Sequence, residues 1–298
     1  MSKVKKRWIV GLFILVVLVI SSIYLSKVNI PVLEPKGPIA DQEFRLLLEV
    51  TGLMLIVVLP VFILLGYIVY RYSDQNKKKR PYSPNWDHNL LVEGIWWFIP
   101  TALIVVLAII TWRATYALNP YKPIASNNAP IVIQVVSMDW KWLFIYPKYN
   151  IATVNKIVFP VNTPVHFYIT SSAPMNSLWI PQLSGQIYAM AGMRTQLYIM
   201  ANQIGNYRGS SANISGIGFA GMVFDAQATT NNIFNAWIRK VSSSPPLNKA
   251  SYLQLSKPSL YVKPKYYSRP IPNLFNDLVL SYLMPKYEQR KIGIAWIN

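Results

Sequence analysis

The stretch Val50-Thr-Gly-Leu-Met-Leu-Ile-Val-Val-Leu-Pro-Val-Phe-Ile-Leu-Leu-Gly-Tyr-Ile-Val-Tyr70 contains no charged residue. A helix of about 20 apolar residues is long enough to cross the roughly 30 Å hydrocarbon core of a bilayer. Pro60 and Gly66 interrupt the stretch, and membrane helices tolerate both residue types better than soluble helices do. Arg71 and the basic cluster Lys77–Arg80 follow at once, and basic residues accumulate at the cytoplasmic end of a span. The stretch therefore predicts a transmembrane helix that ends inside the cell.

A second apolar stretch, Ile95–Tyr116, follows the basic cluster and carries tryptophans near both ends, among them Trp96 and Trp112. Tryptophans placed in this way form the aromatic belts at the two membrane surfaces. Together the two stretches predict a transmembrane helical hairpin with spans at about residues 46–70 and 93–116. Its basic turn faces the cytoplasm, and the chain beyond it lies outside.

The N-terminal stretch Trp8–Tyr24 is also apolar and follows the basic segment Lys3–Arg7. Its length and its basic flank are typical of a signal peptide. Residues 1–28 are therefore expected to form either an export signal, which is cleaved or kept as an anchor, or a third structural span.

The composition agrees with a membrane protein. The chain of 298 residues is 53% hydrophobic and 13% charged, and its mean hydropathy is +0.27. An ordinary soluble domain is less apolar and carries more charge. The net charge of +18 would suit a nucleic-acid-binding protein, but the basic runs adjoin apolar stretches and so indicate membrane topology. We therefore expect membrane lipid as a partner, and no nucleic acid.

From Ile131 onward the pattern changes to short strands. Runs rich in β-branched and aromatic residues alternate with Pro, Gly, Asn and Ser, which predicts a β-sandwich or a small barrel. The predicted strands are 131–136, 156–159, 165–170, 195–200 and 222–224. Thr229–Lys240 and Ile271–Leu283 have the pattern of short amphipathic helices. The Pro- and Ser-rich segment Ser242–Arg269 between them predicts a surface linker.

The predicted fold class is a membrane α plus all-β protein. A two-helix transmembrane hairpin, with an N-terminal signal or anchor helix, precedes a β-barrel or sandwich and short C-terminal helices. The predicted domains are the signal or anchor segment 1–28, the hairpin 29–119, the outer β-domain 120–241 and a C-terminal extension 242–298.

The loop Gly209-Ser-Ser-Ala-Asn-Ile-Ser-Gly-Ile-Gly-Phe-Ala-Gly-Met222 carries hydroxyl and amide side chains at short intervals. Dinuclear and blue copper sites need thiolate and imidazole donors. The chain has no cysteine and only two histidines, His88 and His166, which lie on opposite sides of an apolar span. The sequence therefore predicts that this chain binds no metal.

The same loop resembles the dinuclear copper loop of cytochrome oxidase subunit II with its ligands replaced. In that resemblance, cysteines correspond to two serines, glutamate to an asparagine, and histidines to a phenylalanine and a second asparagine. The corresponding positions are Asn176, Ser211, Asn213, Ser215, Phe219 and Met222. Because Met222 alone keeps a ligand residue type, the resemblance implies a subunit II that has lost its metal.

Further segments resemble subunit II of the cytochrome bo-type ubiquinol oxidases, in order and at plausible spacing. These segments are 33–38, 52–58, 82–86, 137–142, 151–155, 186–193 and 207–222. The resemblance implies a cupredoxin-like outer domain and a place in a proton-pumping quinol:oxygen oxidoreductase in a bacterial inner membrane, with the outer domain in the periplasm. It also implies that this chain binds no cofactor, because the haems and active-site copper of that family belong to subunit I.

The charge of the outer region helps to identify the electron donor. After Asn119 the chain has about sixteen Lys and Arg residues but about four Asp and Glu residues. Cytochrome c is basic and docks on acidic patches, so this region would repel it. We therefore expect ubiquinol, and not cytochrome c, as the substrate of a complex with subunit I and the other oxidase subunits. A menaquinol oxidase subunit and a non-enzymatic, membrane-anchored β-sandwich binding module remain alternatives.

Glu93 opens the second hairpin helix. A carboxylate at the mouth of a span often marks a proton path, but the positive end of a helix dipole also favours one there. In the resembling family, a Glu at this Glu-x-Ile-Trp position lies at the entrance of a proton channel into subunit I. Both roles stay open, and His88 nearby is either a proton relay or a surface residue at the helix start.

Two tryptophans lie in a segment that carries electrons to the metal in the copper-bearing relatives. With no metal behind them, Trp140 and Trp142 are expected to pack at the junction between the outer domain and the membrane. His166 alternates with Val165 and Phe167 along a predicted strand, which indicates a structural role.

Overall fold

The computed structural model describes residues 16–17, 19–20, 30–72 and 88–297. The chain divides into two compact units, Met1–Glu34 and Pro35–Asn298. In the first unit, Pro31–Leu33 forms a single 3₁₀ turn. The predicted signal or anchor helix falls almost entirely outside the described residues, as does the basic turn of the hairpin.

Two long helices open the second unit. Helix α1 spans Pro38–Arg71 over 34 residues, and helix α2 spans Leu90–Ala117 over 28 residues. A proline suits the first position of α1 because the N–H group that it lacks would be unpaired there. Asn89 caps α2 by accepting hydrogen bonds from the Leu91 and Val92 amides. Both helices are long and apolar enough to cross a membrane, so the predicted hairpin of two apolar helices is confirmed.

Within residues 88–297, eleven strands form two sheets. The strands are β1 Ile131–Met138, β2 Lys141–Tyr146, β3 Ile151–Val154, β4 Lys156–Pro160, β5 Val165–Ser171, β6 Asn176–Trp179, β7 Ile187–Ala189, β8 Thr195–Ile199, β9 Gly205–Ser211, β10 Val223–Thr229 and β11 Lys265–Ser268. One sheet has the order β11-β3-β2-β1-β5-β8, and the other has the order β4-β10-β9-β6-β7. Strand β1 pairs in parallel with β5, and β10 pairs in parallel with β4.

The main core lies between the two sheets. Alternate residues of β1 and β5 point into it, among them Ile133, Val135 and Phe167, all fully buried. From the facing sheet, the Phe224 ring lies 5.0 Å from the Phe144 ring. Removing such side chains from water stabilises the fold by about 25 cal/mol for each Å² of apolar surface. This two-layer arrangement is the predicted β-sandwich.

The C-terminal segment contributes four helices, of which the first packs on the main core and the second and third cover the outer face of the six-stranded sheet. Its helices are α3 Asn231–Ser242, α4 Lys249–Ser256, α5 Leu274–Leu283 and α6 Lys286–Lys291. A second buried cluster joins Leu143 of β2 to Tyr252 of α4 and Leu278 of α5. The linker predicted at Ser242–Arg269 is therefore wrong over α4 and β11, because Asn248 caps α4 and β11 pairs with β3.

The hairpin joins the sandwich at one end, here called the helix end. Just before α1, the Lys36 carbonyl accepts a hydrogen bond from the Asn202 amide at 2.8 Å. Just after α2, the Pro120 carbonyl accepts one from the Tyr198 amide at 3.2 Å. Strand β9 begins close to Asn202 and runs away from this end. Ser211, its last residue, and the loop that follows therefore lie at the opposite end, here called the distal end.

Candidate functional site

The six positions that correspond to copper ligands lie at the distal end of the sandwich. Asn176 begins β6 and Ser211 ends β9, while the other four follow in the loop between β9 and β10. Antiparallel pairing of β6 with β9 brings the first two together. The Ser211 hydroxyl donates a hydrogen bond to Asn176 Oδ1 at 2.9 Å, and both residues are buried.

Asn213 extends this pair into a network. Its backbone N–H donates to the Ser211 hydroxyl oxygen at 3.4 Å, and its side-chain amide donates to the Met175 carbonyl at 2.8 Å. The Asn176 side-chain amide donates to the Pro174 carbonyl at 2.9 Å. Three of the six positions are thus linked by hydrogen bonds, which buried polar groups require.

The side chains at the other three positions do not join this network, although the Met222 carbonyl accepts a hydrogen bond from the Ser211 amide at 3.1 Å. The Ser215 hydroxyl is buried and has no hydrogen-bond partner among the residues that the structure describes. Phe219 begins a short 3₁₀ turn at the end of the loop. Met222 is fully buried and belongs to the main core.

The side chains at these positions do not fit a dinuclear copper centre. Hydroxyl and amide oxygens are harder donors than the thiolates and imidazoles that copper sites use, and the whole chain lacks cysteine. Within 30–72 and 88–297, no group of three His, Asp or Glu side chains converges on one point. The loop therefore lacks the donor chemistry of a copper site.

Trp140 packs on this loop, at the distal end. A Cβ atom on Gly218 would collide with its indole ring, and its Nε1–H donates to the Ser215 carbonyl at 3.3 Å. Trp142 is fully buried in the main core, with its ring 6.0 Å from that of Phe224. The predicted place of Trp142 at the membrane junction is wrong, because its side chain is fully buried in the main core.

A segment of the C-terminal region, Lys257–Val262, lies across the loop and is here called the strap. Leu260 lies against Gly218, and the ring of Tyr261 lies against Gly221. Neither glycine could carry a side chain without displacing the strap. The loop is therefore enclosed between Trp140 on one element and the strap on another.

Lys141 anchors the strap from beneath. Its ammonium group donates to the Lys257 carbonyl at 2.8 Å and to the Ser259 hydroxyl at 2.6 Å. Burial lowers the pKa of Lys141, while the nearby Asp139 carboxylate opposes this lowering. Sequence reasoning missed this residue, although a lone charge between two tryptophans in an otherwise apolar run was the signal that could have revealed it.

Glu93 lies at the start of α2, at the far end of the hairpin. Its carboxylate oxygen is 3.0 Å from His88 Nδ1 and accepts a hydrogen bond from the Asn89 amide at 3.4 Å. The structure therefore brings together the two residues that the sequence singled out here. The same carboxylate therefore contacts the His88 imidazole and also caps the helix through the Asn89 amide.

His166 lies on β5, in the sandwich. Its Nε2 is 2.9 Å from Gln196 Oε1, and its ring stacks on the Tyr198 ring at 4.0 Å. Burial lowers the pKa of His166, the hydrogen bond to Gln196 opposes this, and the charge of Arg194 adds to the lowering. These contacts fit the predicted structural role.

Comparison with known proteins assigns the family. The model of the cytochrome c oxidase subunit II periplasmic domain matches residues 112–229, and that of the COX aromatic rich motif matches residues 242–286. Subunit 2 of the Pseudomonas putida cytochrome bo(3) ubiquinol oxidase is 48% identical over 259 residues, covering 87% of this chain and 82% of that protein. The same subunit from Buchnera aphidicola subsp. Baizongia pistaciae is 41% identical over 275 residues, covering 91% of this chain and 96% of that protein. The chain belongs to the family of cytochrome bo-type ubiquinol oxidase subunit 2.

As a quinol oxidase subunit II, the chain has subunit I and other oxidase subunits as partners. A crystal structure of the periplasmic domain of cytochrome oxidase subunit II from Bradyrhizobium japonicum is 18% identical, with a TM-score of 0.37. It covers 39% of this chain and 96% of that domain. The sequence relatives, and not this structural similarity, establish the family of this subunit II.

Proposed function

We propose that this subunit II supports a proton-pumping oxidase that transfers electrons from ubiquinol to oxygen, and that it carries no redox centre itself. The observation behind this proposal is the hydrogen-bonded pair of Asn176 and Ser211, two positions that correspond to metal ligands in the sequence resemblance. Neither side chain is a donor that copper uses. Electrons from ubiquinol then reach the haems and active-site copper of subunit I without passing through the sandwich.

The proposed location is the inner membrane of a bacterium, with the sandwich in the periplasm. Two helices of 34 and 28 residues support it, because both have the length and hydropathy of membrane spans. Arg71 at the end of α1 supports the orientation, because basic residues concentrate on the cytoplasmic side. The exposed apolar side chains of both helices then face lipid and subunit I.

The charge of the outer region supports a quinol, and not cytochrome c, as the donor. From residue 120 onward there are about sixteen basic and about four acidic residues. No Lys or Arg in the described part of this region forms an ion pair. A surface with so much uncompensated positive charge repels a basic protein, whereas a neutral quinol dissolved in lipid needs no charged docking face.

An exposed apolar patch at the distal end supports a role in assembly. Ile214 and Ile217 on the loop between β9 and β10 are 80% and 83% exposed, and Tyr261 of the strap is 68% exposed. Clusters of exposed apolar side chains mark interaction sites. We assign this patch to a contact with another oxidase subunit.

Purification of the tagged full chain in mild detergent tests the proposed function. We expect a large polytopic partner, a haem spectrum, and oxygen uptake driven by ubiquinol but not by reduced cytochrome c. A colourless chain that purifies alone would instead indicate a membrane-anchored binding module. Faster oxygen uptake with menaquinol would reassign the donor, and stoichiometric copper on this subunit would contradict the absence of a redox centre.

We further propose that Glu93 contributes a carboxylate to a proton inlet of subunit I. Its position at the mouth of α2 and its 3.0 Å contact with His88 support this role, because two titratable groups in contact can pass a proton. Glu93→Gln keeps the size of the side chain but removes the exchangeable charge. We expect turnover to fall by about tenfold or more while haem content stays unchanged, measured by oxygen uptake and proton release.

Asn89→Ala provides the matched control for this variant. It removes the hydrogen bonds of the α2 cap and leaves the carboxylate in place. If Glu93 acts only as a capping group, the two variants should slow turnover to a similar extent, or neither should. Normal turnover in Glu93→Gln would confine this residue to capping.

A further inference from the structure

A cleft lies between the two hairpin helices, near the end that joins the sandwich. Its volume is about 340 Å³, and it is lined by Gln42, Arg45, Leu46, Glu49, Ile110, Arg113, Ala114, Ala117 and Leu118. The lining residues of each helix are spaced three and four apart, so they form one face of α1 and one face of α2. The small side chains of Ala114 and Ala117 leave room between the helices.

The charges in this cleft are only partly compensated. Arg45 forms an ion pair with Asp41 at 2.9 Å. Arg113 and Glu49 line the same cleft, yet within residues 30–72 and 88–297 neither forms an ion pair. Opposite charges that lie apart at the edge of an apolar phase are stabilised by a ligand that contacts both.

The position of the cleft along the helices matches the lipid headgroup region. Glu49 directly precedes the uncharged stretch of α1 that begins at Val50. Arg113 directly follows Trp112, whose ring lies 5.3 Å from the Tyr116 ring. Aromatic side chains of this kind sit at the membrane–water boundary. The cleft therefore opens at the depth where phospholipid phosphates lie, on the same side as the sandwich.

We propose that this cleft binds a phospholipid with a zwitterionic, amine-bearing headgroup. The guanidinium groups of Arg113 and Arg45, which line the same cleft, offer planar donors to the phosphate. The carboxylate of Glu49 accepts from the ammonium group of the same headgroup. A purely anionic headgroup would satisfy the arginines but place a negative charge next to Glu49. The inference rests on the proposed insertion of the hairpin into a membrane.

Native mass spectrometry of the detergent-purified oxidase complex tests the site. The haem spectrum and quinol oxidase activity of each sample are recorded first, so that failure of the proposed function is seen separately from failure of the lipid site. The delipidated complex is then titrated with phosphatidylethanolamine or with phosphatidylglycerol. We expect the wild type to prefer phosphatidylethanolamine.

Two substitutions should change this preference differently. Arg113→Gln should weaken binding of both lipids by about tenfold, because a charge-assisted contact to the phosphate is lost, and Arg113→Lys should restore part of it. Glu49→Gln should weaken phosphatidylethanolamine binding and leave phosphatidylglycerol binding equal or tighter. Lys122→Gln is the matched control, because this exposed lysine follows α2 but does not line the cleft.

Several results would overturn the proposal. The proposal is wrong if both Arg113→Gln and Glu49→Gln retain phosphatidylethanolamine as strongly as the wild type. An equal loss in Lys122→Gln would show that binding follows total charge rather than this cleft. Loss of a neighbouring subunit from the variants, with lipid retention unchanged, would assign the cleft to a protein contact.

Discussion

Asn176 and Ser211 show at the residue scale how buried polar side chains at the distal end stabilise each other. A buried hydroxyl or amide group costs free energy unless it finds a hydrogen-bond partner. These two side chains are each other's partner at 2.9 Å, and Asn213 adds a third member. Their contributions to stability should therefore depend on each other.

Asn176→Ala should lower the free energy of unfolding by about 1–3 kcal/mol, because the buried Ser211 hydroxyl loses its 2.9 Å hydrogen bond to Asn176 and keeps only longer contacts with Asn213. Ser211→Ala should cost a similar amount, and the double variant should cost less than the sum of the two. Denaturant unfolding of the full chain in detergent, followed by circular dichroism, measures these values. Ser210→Ala, at a half-buried neighbouring position, is the control. Fully additive costs would show that the two residues act independently.

His166 should make stability depend on pH. Burial lowers its pKa in the folded chain, whereas the unfolded chain has the ordinary value of about 6.5. Stability should therefore be complete above that value and be lost as the pH falls below it, through the lowered pKa of the folded state. Between about pH 8 and about pH 5, the melting temperature should fall more steeply for the wild type than for His166→Gln. Parallel curves would contradict this.

At the scale of elements, two separate segments of the chain support the loop between β9 and β10: the residues Trp140 and Lys141, and the strap. Trp140, just after β1, covers one side of the loop. The strap covers the other side, and Lys141 ties the strap to β2 through hydrogen bonds of 2.8 Å and 2.6 Å. The loop conformation therefore depends on close packing at its glycines.

Gly218→Ala should destabilise the distal end, because the added Cβ would collide with Trp140 and Leu260. The backbone φ of Gly218 is −92°, which any residue adopts, so the cost is steric, at about 1–3 kcal/mol. Gly205→Ala is the matched control, because its Cβ would come no closer than 3.5 Å, to the Tyr207 hydroxyl. Thermal unfolding of both variants measures the difference. Equal melting temperatures would show that Trp140 and the strap move to accommodate the added Cβ atom without loss of stability.

At the scale of the whole molecule, the C-terminal extension is structurally continuous with the sandwich. Strand β11 pairs with β3 and so forms the edge of the six-stranded sheet. The second buried cluster lies between that sheet and helices α4 and α5. The predicted domain boundary after residue 241 therefore falls within a continuous fold.

Removal of residues 242–298 should prevent the chain from folding, because Leu143, Ile145 and the rest of the second cluster would lose their cover. We expect aggregation and loss of detergent-soluble protein, measured by yield and size-exclusion chromatography. Removal of residues 285–298 alone is the control, because it keeps α4, β11 and α5 and should leave soluble protein. A monodisperse, folded chain that ends at residue 241 would contradict this prediction.

Strands β2 and β9 do not show the sequence pattern that usually predicts a strand, each for a different reason. Strand β2 is buried along its whole length, with Trp142 and Phe144 in the main core and Leu143 and Ile145 in the second cluster. An element covered on two sides shows no alternation of apolar and polar residues. Strand β9 carries mostly Gly, Ser and Asn, residue types that otherwise predict a loop.

Local chemistry alone was enough to establish the apolar hairpin, a β-rich outer domain and a chain without thiolate donors. Each of these follows from residue types along short stretches of chain. Only the folded molecule decided that Asn176 meets Ser211 across 35 residues of sequence, and that the strap closes over the loop. Such contacts depend on strand register and on the packing of distant segments. The amino acid order encodes both, but no short stretch of it displays them.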